Sequence, residues 1–329
     1  MYAKNSRILH LGNVANTGPN LVRQARALGR DWAFRELPKS PSMLSPRAWL
    51  ERGQDALRYS MSTVTPELAH VHYGPNGYYG DLKKAPFVLH LHGTDLREDL
   101  HRPLLGQLES VALRRASAVI VATPDLLSKA SEIRPDARYV PNPVPPLSAN
   151  PEALRQPREQ LLPPGTVFFN ARWDDSKGGT ELVELAANVA RSGAPTFGIN
   201  WGTHAEAARR AGVELLPLTS PEEFREIQRQ ASVVVGQFRF GSLGISDLEA
   251  LNAAKPLVGF VNTSLEGEVP LANSSLDTAW RAVSGLLEDE TAASELGLRG
   301  QRWVQEHRSP TASVLALEET YRRVLNRKD

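Results

Sequence analysis

The 329-residue sequence contains no cysteine. That excludes a disulfide framework, a thiolate nucleophile and any cysteine-ligated metal, and it fits a reducing, cytoplasmic setting. No apolar run approaches the ~18 residues that a membrane-spanning helix requires. The opening stretch Met1–Arg7 is basic, but the apolar segment after it is short and broken by His10 and Asn13. It reads as a first strand rather than a signal peptide. A Gly-x-Gly-x-x-Gly dinucleotide fingerprint is missing, and so is a Walker A sequence. There is no fixed short repeat and no low-complexity tract. A large excess of one charge is absent too, since 38 Lys and Arg face 37 Asp and Glu.

That near-balance hides a split. Residues 1–150 carry 19 cations against 13 acids, a net of +6; residues 151–329 carry 19 against 24, a net of −5. A basic first half suits an anionic acceptor or a peripheral membrane contact. An uneven scatter without function reads equally well. No nucleic-acid partner is expected.

What is present is an alternation of short apolar runs with amphipathic segments. Candidate strands in the first half are residues 7–11, 68–72, 87–92 and 118–122; in the second half they are 166–169, 195–199, 232–236 and 256–261. Continuous apolar strands separated by helical stretches predict parallel, doubly wound α/β sheets. In such sheets ligands collect at the carboxyl ends of the strands. Between the halves, Val140 to Pro146 and later Pro151, Pro157, Pro163 and Pro164 read as a linker.

Several strand ends carry residues suited to a ligand. After the first strand, Gly12, Asn13, Asn16, Gly18 and Asn20 precede a helix over Leu21–Leu28. The segment Tyr73-Gly74-Pro75-Asn76-Gly77-Tyr78-Tyr79-Gly80 suits a flat polar ligand, or simply a packed turn. His90 and His92 point the same way on a strand, which raises paired metal ligation. Neither a glutamate nor a third histidine lies at supporting spacing nearby, so no metal is expected. His92 closes its strand beside Gly93, a place for a functional imidazole.

The densest signal is Phe168-Phe169-Asn170-Ala171-Arg172-Trp173-Asp174-Asp175-Ser176-Lys177-Gly178-Gly179. A strand, two cations with four residues between them, and a helix N-terminus together make an anion site. Arg172 can grip phosphate oxygens through two donors, and Lys177 adds a point charge. Two solvated surface cations are the bland alternative. Further on, Gly241, Gly244, Ile245, Ser246 and Glu249 form a glycine loop opening a helix. Glu249 would accept from two ribose hydroxyls or simply face solvent.

Taken in order, these pieces resemble the two-Rossmann-domain (GT-B) glycosyltransferases, and among them the retaining family GT4. The resemblance runs over almost the full length. It rests on the Gly12–Gly18 loop, His92-Gly93, Val140-Pro141-Asn142, Arg172-x4-Lys177-Gly178, Gly244 through Glu249-Ala250 to Lys255-Pro256-Leu257-Val258, and Glu318-x-x-Tyr321-Arg322. It implies two Rossmann-like domains facing across a cleft, with an acceptor domain over 1–145, a linker over 146–163, a donor domain over 164–308 and a closing helix over 309–329 that returns to the first domain.

The same resemblance implies transfer of a sugar, with retained configuration, from a nucleoside-diphosphate sugar to a sugar, lipid-linked or metabolite acceptor, without metal or cofactor. Arg172 and Lys177 would hold the diphosphate. Glu249 would bind the ribose. Gly244, Ile245 and Ser246 would offer backbone N–H groups, Gly12 and Gly18 would flank the donor, and His92 would lie beside the transferred sugar. One departure stands out: the family's first glutamate, eight positions before Glu249, is here Gly241. Ser242, Ser246 or an acid from another loop would have to replace it. A non-catalytic binding protein and a sugar-nucleotide epimerase of the same fold are the alternative readings.

Overall fold

Val, Ile, Leu and Phe dominate the short strands, and both faces of those strands are covered, as a parallel sheet requires. The computed structural model describes residues 7–38, 45–144 and 162–326. The chain divides into two units, Met1–Pro143 with Pro310–Asp329, and Val144–Ser309. The linker expected over 146–163 falls almost wholly outside the described residues.

The described strands of the first unit are β1 (Ile8–Leu11), β2 (Trp32–Arg35), β3 (Leu68–His72), β4 (Phe87–Leu91), β5 (Ala118–Val121) and β6 (Arg138–Tyr139). They form one parallel sheet in the order β2-β1-β3-β4-β5-β6. Its helices include α1 (Thr17–Ala27), α2 (Pro46–Met61), α3 (Thr94–Arg97), α4 (Pro103–Arg115) and α5 (Asp125–Ile133). The order reverses between β1 and β3, which makes the carboxyl ends of those two strands the ligand-binding crevice of the sheet.

Alternation along the strands sends two sets of side chains to opposite faces. Leu9, Leu11, Ala69, Val71, Leu89, Leu91, Val119 and Val121 enter one core. Ile8, Leu68, Val88 and Ile120 enter the other, beneath α1 and the last helix. That helix, Pro310–Asn326, inserts Val314, Leu317, Tyr321 and Val324 into this second core. Arg30 forms a bidentate ion pair with Glu318, and Ser313 donates to the Pro141 carbonyl at 2.9 Å. A segment at the far end of the sequence therefore completes the first unit.

The second unit repeats the plan with β7 (Val167–Phe169), β8 (Thr196–Ile199), β9 (Glu214–Leu216), β10 (Val233–Val235), β11 (Leu257–Gly259) and β12 (Ala272–Asn273). Here the parallel order is β12-β11-β10-β7-β8-β9, reversing between β7 and β10. Numbering its described helices onward, α6 is Gly179–Arg191, α7 Ala205–Arg210, α8 Pro221–Gln230, α9 Ile245–Asn252, α10 Thr263–Glu266, α11 Leu276–Glu288 and α12 Glu290–His307; the last helix, Pro310–Asn326, is α13. Phe169, Trp173, Leu182, Leu185 and Val283 fill one face of the sheet. Phe168, Phe197, Val234, Leu248 and Leu251 fill the other.

Candidate functional site

In the first unit the crevice between β1 and β3 is a real cavity of about 240 Å³, bordered by Gly12, Asn13, Arg52, Tyr73, Asn76 and His92. Gly12 takes φ +83°, and a Cβ there would lie 3.1 Å from Asn76 Nδ2 and 3.2 Å from the His72 carbonyl oxygen. Gly18, in the first turn of α1, would place a Cβ 3.1 Å from the Gly12 carbonyl oxygen and 3.2 Å from His72 Nε2. The two glycines thus lie together, and both keep the end of β1 tight against the end of β3.

His92 is fixed by its own backbone. Its N–H donates to the Asp95 carboxylate at 2.9 and 3.1 Å, and the N–H groups of Gly93 and Leu96 donate to the same carboxylate at 2.6 and 3.1 Å. Gly74 N–H reaches it from the neighbouring strand end at 3.3 Å. Burial pushes the Asp95 carboxyl up, against these donors. Burial also pulls His92 down to about 3, so its imidazole is neutral at pH 7. It can exchange a hydrogen bond with a ligand; it is not a cation.

Arg52 is the group that sequence reasoning missed. It is 7% exposed. Its guanidinium donates to Asn76 Oδ1 at 2.9 Å and to the Pro38 carbonyl at 3.3 Å, both neutral acceptors. Asn76 in turn donates to the His72 carbonyl at 2.9 Å. Among the described residues no carboxylate lies within ion-pair distance of Arg52. The signal was present in the sequence: an arginine on the inward stripe of an amphipathic helix, where an aliphatic residue belongs. The glycine-aromatic segment is mostly a packed turn. It forms a 3₁₀ helix over Gly74–Leu82, and Tyr79 is fully buried with its hydroxyl donating to Asp55 at 2.8 Å. Only Tyr73 and Asn76 of that segment border the cavity.

In the second unit, the loop after β7 lies at the order reversal. Gly178 and Gly179 take φ +145° and +58°, conformations that glycine adopts without strain, and they turn the chain into α6. Arg172 pairs with Asp174 at 3.2 Å and stacks 4.9 Å from the Trp201 ring. Lys177 Nζ stands 4.7 Å from the Phe240 ring. Trp201 follows β8 and Phe240 follows β10, so the two cations flank the end of β7, each against an aromatic face.

The helix α9 begins on the far side of the same crevice. The Gly244 N–H is already taken, donating to Asp247 Oδ2 at 2.9 Å. The N–H groups of Ile245 and Ser246 belong to the first helical turn, which supplies them no partner. Asp247 is buried; burial raises its pKa, and the Gly244 N–H and the Lys177 charge oppose that. Glu249 is paired through Oε1 with Arg225 at 3.1 Å, and its side chain is 14% exposed. Burial raises its pKa while Arg225 lowers it. Glu249 is therefore a partly buried carboxylate oriented by Arg225.

Gly241 takes φ +64°, its carbonyl accepts the Asn262 N–H at 2.8 Å, and a Cβ there would lie 3.0 Å from Asn262 Cβ. Ser242 Oγ is buried without a hydrogen-bond partner. Histidine is the second surprise. A metal was not expected because no third histidine lies at supporting spacing in sequence, yet the fold gathers His10, His70, His72, His90 and His92 on one sheet face.

With this geometry described, comparison places the fold. Residues 14–145 match the family described as Glycosyl transferase 4-like domain. No curated protein matches the chain by sequence. Sucrose-phosphate synthase from Thermosynechococcus elongatus superposes with a TM-score of 0.67 at 16% identity, over 98% of this chain and 100% of that one. HepE from Anabaena, solved with UDP and glucose, gives 0.70 at 12% identity, over 97% and 100%. MnaA from S. aureus, solved with UDP, gives 0.56 at 11%, over 98% and 99%. The chain has the GT-B fold of these proteins, and its residues 14–145 are similar to the glycosyl transferase 4-like domain.

Proposed function

We propose that this chain is a glycosyltransferase that takes its sugar from a nucleoside-diphosphate donor, held by the second unit, and passes it to an acceptor held by the first. The observation that carries this reading is the crevice between β7 and β10. Arg172 and Lys177 flank it, α6 and the first-turn N–H groups of α9 open beside it, and the partly buried Glu249 lies on α9. Cations at helix N-termini match a diphosphate, and the Glu249 oxygen not facing Arg225 remains to accept from a ribose. As the glycosidic bond breaks, negative charge grows on the diphosphate leaving group, and the two cations stabilise it there. Transfer with retained configuration, and without a metal, is part of this proposal.

On the acceptor side, Arg52 argues for an anionic group. A buried guanidinium bound, among the described residues, only to neutral acceptors is completed by a phosphate or carboxylate entering the cavity. The basic balance of residues 1–150 fits such an acceptor.

UDP, GDP, ADP and CMP with their sugar conjugates, screened by thermal shift against the full chain and Arg172→Ala, test the donor half. A ligand at 100 times its dissociation constant adds about 2.7 kcal/mol. One diphosphate series should stabilise the parent and fail on the variant. Equal shifts in both would remove Arg172 from the site, and a sugar interconverted without any acceptor would make the chain an epimerase.

A further inference from the structure

Glu249 is held by a single residue. Arg225 Nη1 donates to Glu249 Oε1 at 3.1 Å, while Arg225 Nη2 donates to Glu222 Oε1 at 3.0 Å. Among the described residues the Glu249 carboxylate has no other hydrogen-bond partner. Its Oε2 is unpaired but not enclosed, in contrast to Ser242 Oγ, which is both unpaired and buried. One oxygen of the carboxylate is thus engaged by the protein, and the other is open to a ligand.

Arg225 is itself carried by a well-anchored helix. The first turn of α8 is closed by reciprocal bonds, Glu223 N–H to Ser220 Oγ at 3.2 Å and Ser220 N–H to the Glu223 carboxylate at 2.9 Å, with Pro221 opening the helix. Phe224 packs edge-on against Phe168 of β7, ring centres 5.8 Å apart. Gln228 is fully buried, and its Nε2 donates to the Ser246 carbonyl at 2.9 Å. Residues three apart on a helix share a face. Arg225 and Gln228 are so placed on α8, as are Ser246 and Glu249 on α9, and the two helices are joined by two successive rungs. One rung holds the opening turn of α9. The other holds Glu249.

A glutamate left alone would lose rotamer freedom on gripping a ligand, and burial works against its charge. The Arg225 rung acts on both costs. It fixes the carboxylate before any ligand arrives, and its charge opposes the effect of burial, favouring the ionised form that only accepts.

We propose that Arg225 is a positioning residue: by engaging Glu249 Oε1 it presents Oε2 to the vicinal hydroxyls of the donor ribose, and so makes the site select ribonucleotides over their deoxy forms. Arg225 acts through Glu249 and touches no part of the nucleotide. This inference rests on the donor reading of the second unit given above.

The test is calorimetry on the full chain with the diphosphate that the thermal-shift screen selects among UDP, GDP and ADP, beside its 2′-deoxy and 3′-deoxy forms. Four proteins are compared: the parent, Arg225→Met, Glu249→Gln and the double variant. In the parent at least one deoxy form should bind about tenfold or more weaker, the loss expected for one hydrogen bond to a charged group. Arg225→Met should weaken the ribonucleotide several-fold and shrink that ratio to below about threefold. The ligands carry equal charge, so the ratio is insensitive to the lost cation itself. In the Glu249→Gln background, Arg225→Met should change the ratio no further. Should Arg225→Met fail to melt as a folded protein, Arg225→Lys takes its place in the cycle, with a smaller change of the same sign.

A parent-like ratio in the Arg225 variant would show that Glu249 finds the ribose unaided. An equal loss with and without Glu249 would make Arg225 a direct ligand contact. Either result overturns the inference and leaves the donor site standing. Equal binding of all three ligands by the parent would instead remove the ribose role of Glu249, and no binding of any diphosphate would remove the donor reading; the inference falls with each.

Discussion

Glu109 is fully buried on α4, with neither carboxyl oxygen hydrogen-bonded. Burial, reinforced by Asp95 and Asp99, pushes it up to about 9; Lys129 opposes this. The folded state therefore keeps the proton across a pH range in which the unfolded chain, titrating near 4.5, has lost it. The folded state binds more protons, so stability must fall as pH rises between those two values, and the loss is complete above the upper one. Each pH unit in that window is worth about 1.4 kcal/mol. From pH 5.5 to 7.5 the ceiling is about 3 kcal/mol, and relaxation around the carboxyl should leave about half of it. Glu109→Gln keeps the shape and cannot ionise. The assay is urea unfolding of parent and variant at four pH values, followed through amide exchange on β3 and β4 so that only the first unit is read. All other titrating groups cancel in the difference. The variant should gain on the parent steadily with pH, whatever fixed offset its amide introduces. A difference that stays flat within ~0.5 kcal/mol would refute the reasoning, because it would mean that Glu109 ionises freely in the folded protein.

Three further outcomes follow from the packing. Leu317→Ala on α13 should cost about 2–5 kcal/mol, read as a drop in the melting temperature of the first unit; no drop would mean that the C-terminal helix is dispensable to that core. Gly12→Ala forces a side chain into φ +83° with backbone atoms close by, and should cost roughly 1–3 kcal/mol and weaken any ligand of the cavity, seen by calorimetry. Gly241→Glu, which restores the residue type the resemblance expects, should lower stability by about 1–2 kcal/mol from the left-handed backbone alone and should not raise transfer activity in a product assay.

The sheets were legible and their edges were not. All eight strands expected from apolar runs are present within a residue or two, and they occupy interior positions of both sheets. The four that were missed, β2, β6, β9 and β12, are the four edges. Edge strands need only one covered side, so Trp32–Arg35 and Glu214–Leu216 mix apolar with charged residues, and the two-residue β6 and β12 carry no periodicity at all. The site divides along the same line. Glycines and cations at strand ends are local features, and sequence placed them correctly at strand ends. Arg52 stood out only as an arginine on an inward helix stripe; its neutral acceptors, Asn76 and the Pro38 carbonyl, come from other parts of the chain.

The histidines make the same point most sharply. Sequence shows two pairs at spacing two and a lone His10, and local spacing offers no third ligand beside His90 and His92, whereas the fold brings a third histidine to each pair. Register converts those separate observations into one object: parallel pairing sets His10 beside His70 and His72 beside His90, and α13, over 200 residues away in sequence, brings the Tyr321 hydroxyl to His70 and His10. A one-residue slip of β3 would turn His70 and His72 to the opposite face and destroy the cluster. The arrangement is thus a property of register, which pattern reading along a single strand does not reach.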